Sequence, residues 1–195
     1  MQANEVALLI MAGGHSRRFG SDDKLLADLN GQKLGLRVAA RFAELGWAEK
    51  LAVARAPLKS EFEALGYATI EPKAGNGLGD NLALGGQGLS DVSAVLVVLA
   101  DMPFVTENHV AALLAAAGST ADAVCTRAGD VRSPPVLIGR DYFNDLRSLS
   151  GDAGARRLLD KAGANLVEIA GAAGIMADVD TVDDYMRWKA TDADA

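Results

Sequence analysis

Directly behind an apolar run, VALLIM from Val6, the segment AGGHSRRFGSDDK (Ala12 to Lys24) gathers three glycines, two arginines and a lysine into one connection. Glycines let a backbone approach a ligand closely and turn successive amide hydrogens toward it, which suits phosphate oxygens. Arg17 or Arg18 and Lys24 would add positive charge around the same anion. The string is neither a Walker loop, which needs GK[ST], nor the GxGxxG dinucleotide fingerprint. Two acidic positions complement it. Asp101 ends the run AVLVVLA and is followed by Met102-Pro103, so it stands where a strand-end carboxylate could hold Mg2+ at a phosphate site. Asp178 and Asp180 alternate in MADVDTVDDY and would face one side of an extended segment. Turn or cap roles stay open for each; Thr181 with Asp184 also reads as a capping box.

Other chemistries lack material. One cysteine, Cys125, and two histidines, His15 and His109, cannot build a disulfide framework, a zinc cluster or a Ser-His-Asp or Cys-His arrangement. A formal net charge of −7 over 195 residues argues against holding nucleic acid through a broad basic face. The opening run carries Glu5 where a secretory signal needs positive charge. The longest apolar candidate, Ala94 to Ala100, stops at Asp101, far short of the roughly 20 residues that span a bilayer. A soluble, cytoplasmic protein without membrane contact is expected.

The elements that must carry these residues alternate. VALLIM, LAVA from Leu51, AVLVVLA from Ala94, DAVCT from Asp122 and LVEI from Leu166 are continuous apolar runs of the kind that suits strands covered on both faces. Leu36, Ala39, Ala40 and Ala43 make one helical stripe; Val110, Leu113, Leu114 and Ala117 make another after Thr106 as a cap. This predicts a layered α/β fold with a mostly parallel sheet, whose ligand sits beyond the carboxyl ends of the strands. From Val131 to Leu149, Pro134-Pro135 and a short VLI run predict a lid or an antiparallel excursion. NGLGDNLALGG, from Asn76, holds too many glycines for a stable isolated helix and can be an ordinary loop. GDAGARRLLDKAG, from Gly151, can be no more than a capped helix start.

Taken together, Ala12, Gly13, Gly14, Ser16, Arg18, Phe19, Gly20 and Lys24, with DMP at Asp101 and DVDT at Asp178, resemble the motifs of the molybdenum cofactor nucleotidyltransferases. The resemblance covers nearly the whole chain and implies a single nucleotidyltransferase domain over residues 1–190, with a loose tail at 191–195. It implies a three-layer Rossmann-like fold with helices on both faces of the sheet. It further implies nucleotide contacts from Ala12, Gly13, Gly14, Ser16, Lys24, Gly79 and Asp101, and catalytic roles for Lys24 and Arg18. Mg2+ would lie on Asp101 and on Asp180 or Asp178, with Asp180 the preferred position. RSPPVLIGR and GDAGAR resemble the cytidylyl branch, where that region lies over the pterin, so Arg132, Pro135, Asp152 and Arg156 become acceptor contacts.

On that resemblance, a phosphate monoester of the molybdopterin acceptor attacks the α-phosphorus of a nucleoside triphosphate and displaces pyrophosphate. The attacking oxygen is already anionic at neutral pH, so no general base is required. AGG and the Gly20-to-Lys24 spacing look like the guanylyl branch, GDAGAR and DVDT like the cytidylyl branch, and the balance leans to CTP over GTP. Transient contact with a molybdoenzyme or its chaperone is implied. Two other readings stand beside this one: a cytidylyltransferase for another phosphorylated small molecule, and a protein that binds nucleotide or cofactor without turnover. A pure binder has little use for Asp101 and Asp180 beside triphosphate charge.

Overall fold

The computed structural model describes residues 1–14, 19, 23–152, 154–172 and 174–191. Along the chain it forms β1 (Val6–Ala12), a short hairpin of β2 (Asp28–Leu29) and β3 (Gln32–Lys33), α1 (Leu34–Phe42), β4 (Glu49–Ala54), α2 (Ala56–Ala64), β5 (Ala68–Ile70) and α3 (Leu78–Gln87). Then come β6 (Ala94–Leu99), α4 (Glu107–Ala116), β7 (Ala123–Ala128), β8 (Val131–Gly139), α5 (Phe143–Arg147), α6 (Arg156–Ala162), β9 (Leu166–Ala170) and α7 (Val182–Thr191). Each of the five apolar runs is a strand.

Seven strands make one sheet in the order β5-β4-β1-β6-β8-β7-β9. β1 runs parallel to β4 and β6, β4 to β5, and β7 to β9; β8 alone opposes its neighbours β6 and β7. Side chains alternate across a strand, so β1 feeds two cores. Val6, Leu8 and Ile10 pack with Val38 and Phe42 of α1, Phe62 of α2 and Leu113 of α4. Ala7, Leu9 and Met11 pack with Leu82 of α3, Phe143 and Leu146 of α5, and Leu158 of α6. The result is the three-layer α/β arrangement expected, with helices on both faces.

The α4 stripe is buried as expected, and Thr106 caps the helix by accepting the His109 amide at 3.3 Å. In α1 the buried face is broader than expected and includes Leu34, Val38 and Phe42, while Ala40 is only half-buried. The excursion around Pro134-Pro135 is the antiparallel strand β8, not a lid. Cys125 pairs with Val136 but Thr126 pairs with Ser133, so the two prolines, which have no N–H to offer a ladder, are passed over as a bulge.

The glycine-rich Asn76 segment is a helix from Leu78, against its propensity, because tertiary packing needs those glycines. A Cβ on Gly85 would lie 2.6 Å from Leu9 Cδ2, one on Gly86 3.0 Å from Leu146 Cγ, and one on Gly79 2.7 Å from the Ser150 carbonyl oxygen. α3 thereby sits closer to the sheet and to the 150–151 backbone than side chains would allow. A third small core, Phe19, Leu29, Leu34 and Val179 with Tyr185 and Trp188, fastens α7 beside the β2–β3 hairpin. α7 includes Thr191, one residue beyond the expected tail boundary, and 192–195 lie outside the described residues. Among the described residues no helix is long and apolar enough to cross a membrane.

Gly79→Ala tests the packing argument, since alanine favours an isolated helix. Here it is expected to destabilise the protein by about 1–3 kcal/mol through overpacking, measured as a fall of several degrees in Tm.

Candidate active site

Three segments distant in sequence meet at one ammonium. Lys24 Nζ lies 2.7 Å from Asp101 Oδ2 and 2.7 Å from Asp180 Oδ1. Lys24 opens a single helical turn whose cap is Asp23, which accepts the Leu25 amide and is held by an ion pair from Arg55 at the end of β4. Buried Leu25 anchors that turn against Gly35 of α1, where a Cβ would meet Leu25 Cβ at 2.9 Å. Asp101 follows β6, which is extended past its ladder by the Ala100 amide donating to Met11 O at 3.1 Å. The following loop is pinned by Arg41, which donates to the carbonyls of Pro103 (2.8 Å) and Val105 (2.6 Å).

Asp180 arrives from the far end of the chain because the Val179 amide donates to Asp101 O at 3.0 Å and its side chain is fully buried. The expected capping box then starts α7: the Thr181 amide donates to Asp184 Oδ2 (3.0 Å) and the Asp184 amide to Thr181 Oγ1 (3.1 Å). Capping and site roles therefore fall on different acids.

Burial works against the Lys24 charge, and Asp101 and then Asp180 outweigh it, so its pKa lies above the ordinary lysine value. Asp178 is pushed up, first by burial of its carboxyl and then by the charges of Asp180 and Asp101. The second oxygen of Asp101, Oδ1, is buried without a hydrogen-bond partner. A buried carboxylate oxygen left unpaired is costly and is a ready ligand for a hard cation, so Asp101 and Asp180 suit a divalent ion with phosphate or water oxygens completing its shell.

These residues line a cavity of about 470 Å³ together with Gly13, Gly14, Gly75, Asn76, Gly77, Leu78, Asp80, Asn81 and Asp152. Gly13 is required by close approach: a Cβ there would sit 2.9 Å from Asn81 Nδ2. Of the residues expected at the nucleotide, Ala12 and Gly79 do not line the cavity. Ala12 points into the core, and Gly79 spends its amide on Gly151 O at 2.7 Å. Asp80 accepts the Gly77 amide (2.9 Å) and the Gly151 amide (3.1 Å), tying the start of α3 to the 150–152 loop. Asn81, within the glycine-led Asn76 segment, is buried and bonded to Asn76 at 3.2 Å. Ser16, Arg18 and Gly20 lie outside the described residues.

A second cavity, about 480 Å³, shares Leu78 and Leu99 with the first and is lined by Arg127, Arg132, Pro134, Ala155 and Arg156 among others. Of the expected acceptor residues, Arg132 and Arg156 are here, Asp152 lines the first cavity, and Pro135 is buried while its neighbour Pro134 faces the cavity. Arg132 donates to Glu168 (2.6 Å) and Asp160 (3.2 Å), and Arg127 also pairs with Glu168. Those two arginines, Arg127 first, hold the Glu168 carboxyl below its ordinary pKa.

Residues 8–166 match the MobA-like NTP transferase domain family. The purine catabolism protein PucB of Bacillus subtilis (strain 168) is 28% identical over 193 residues, 91% of this chain and 92% of that protein. The molybdenum cofactor guanylyltransferase of Shewanella frigidimarina is 28% identical over 159 residues, 80% of each. Among solved structures, Rv0371c of Mycobacterium tuberculosis H37Rv in complex with manganese gives a TM-score of 0.75 at 20% identity, covering 96% of this chain and 99% of that one.

One buried chain of hydrogen bonds braces the second cavity. Thr126 Oγ1 donates to Pro135 O at 3.1 Å, so its lone pair receives His109 Nε2–H at 2.8 Å. Thr126→Val leaves both partners unpaired and is expected to cost about 1–3 kcal/mol in denaturant unfolding, with Thr126→Ser restoring most of it. Burial lowers the His109 pKa from 6.5, so the unfolded chain binds the proton first. Its contribution is complete above that value and lost as pH falls toward the lower folded pKa. Between pH 7.5 and 5.5, His109→Gln should flatten the fall of Tm with acid.

Proposed function

The chain belongs to the MobA-like NTP transferase family, and from that premise we propose that it transfers a nucleoside monophosphate, from CTP in preference to GTP, to the phosphate of molybdopterin and releases pyrophosphate. The observation that carries the reading is Lys24 at 2.7 Å from both Asp101 and Asp180, beside the Gly13–Gly14 backbone in one cavity. On that reading the Gly13–Gly14 backbone and Lys24 face the triphosphate, and the two acids are poised for a cation.

In the proposed reaction Gly13, Gly14 and Lys24 hold the triphosphate, and Arg18, outside the described residues, is assigned to the same phosphates by the family resemblance. Asp101 and Asp180 would hold a divalent ion, Mg2+ in the cell, which supplies neutralisation of charge on the phosphate oxygens; the manganese complex of Rv0371c supports this for the fold. The acceptor lies in the second cavity between Arg132 and Arg156, with Asp152 at its border. The nucleophile is an anionic phosphate oxygen at neutral pH, so these residues need only align it with the α-phosphorus and hold the leaving pyrophosphate. His109 is committed to Thr126 and takes no part. The net charge of −7 fits a small-molecule substrate, with contact to a molybdoenzyme or its chaperone as the route of delivery.

Guanine is the second reading, favoured by the guanylyltransferase relative.

Pyrophosphate release with molybdopterin and each triphosphate in parallel is the direct test. CTP is expected to give the higher kcat/KM; activity with GTP alone would reverse the base, and no release with any triphosphate would overturn the transferase reading. Asp101→Asn in a folded protein is expected to lower kcat by about 10²–10³-fold or more.

A further inference from the structure

We propose that Lys24 is a resident counter-ion at the metal position, and that a divalent cation and the triphosphate therefore enter by one coupled exchange. This rests on the reading of Asp101 and Asp180 as metal ligands. The ammonium contacts one oxygen of each carboxylate at 2.7 Å, with only 11% of the lysine side chain exposed. It occupies the point from which a cation would reach both acids. A free metal ion cannot take those oxygens while a positive charge lies between them, because like charges at such a distance repel strongly in a partly buried site.

The arrangement is nevertheless incomplete as an ion pair. Asp101 Oδ1 is buried with no hydrogen-bond partner among the described residues. A divalent ion would neutralise the pair and satisfy that oxygen. The lysine needs a new anion, and the adjoining cavity lined by Gly13 and Gly14 is where one fits. Lysine suits the exchange: its charge is a point on a flexible stem, so it can leave the acids for phosphate oxygens without moving the backbone turn that carries it. A triphosphate thus draws Lys24 away from the acids as it brings oxygens to the metal. Each ligand raises affinity for the other by the same factor.

The probe is Mn2+ alone, without nucleotide, titrated by the loss of its free-ion EPR signal against the full chain and four variants checked for folding by circular dichroism. Lys24→Met and Lys24→Gln are each expected to bind Mn2+ about tenfold more tightly than the wild type. Lys33→Gln removes an exposed lysine paired with Glu61 and should change affinity by less than about twofold. Asp101→Asn should lose Mn2+ binding. Unchanged or weaker Mn2+ binding in either folded Lys24 variant would overturn the proposal, as would equal tightening by Lys33→Gln. Wild-type Mn2+ affinity in Asp101→Asn would instead overturn the metal-ligand reading beneath it.

Discussion

Two ionised carboxylates repel one another at close range unless a positive charge stands between them, and the placement of Lys24 between Asp101 and Asp180 is the constraint that organises this end of the molecule. Burying an unpaired acid is expensive, and burying two side by side more so. The chain therefore spends structure on holding the ammonium still: the Asp23 cap, the Arg55 ion pair and the Leu25–Gly35 contact all act on the turn that begins at Lys24. It spends equal structure on delivering the acids, through the Val179 backbone bond and the Arg41 contacts to the loop after Asp101.

Sheet topology decides where such a corner can form. From β1 the chain crosses to β4 and β5 on one side and later returns to β6 on the other, so the connections after β1 and β6 diverge and leave a crevice beyond their carboxyl ends. The Gly13–Gly14 backbone leaves from one lip and Asp101 stands on the other. α3 closes the crevice from the opposite face, and it can come near enough only because Gly79, Gly85 and Gly86 carry no side chains.

The sequence made the strands legible because burial on both faces leaves continuous apolar runs, and it made Asp101 legible because such a run ends there. It made Lys24 legible by its place behind β1. β5 and the β2–β3 hairpin left no such trace: they are short and half exposed, so little of their composition is set by burial. α3 misled because its glycines answer to Leu9, Leu146 and Ser150, contacts that local propensity cannot contain. Gly79, a nucleotide contact by resemblance alone, commits its amide to Gly151 O. The Thr126–His109 pair carried no signal, since a lone polar residue in an apolar stretch acquires meaning only from the groups packed against it.

The two cavities meet along Leu78 and Leu99, and this junction bears on how two anionic molecules could be brought together. Phosphate groups on either side repel, and apolar side chains between them offer no screening. Relief has to come from cations flanking the junction, and the fold supplies them from independent elements: Lys24 behind β1, Arg132 on β8 and Arg156 at the start of α6. Arg132, which lines the second cavity, is already tied to Glu168 and Asp160, which offset its charge. Under the proposed function, an acceptor phosphate would compete with these carboxylates for the guanidinium, as a triphosphate would compete with Asp101 and Asp180 for Lys24. On this reading each anion site is pre-formed around an internal carboxylate, and what the ligand gains is the difference between its own charge and the one it displaces.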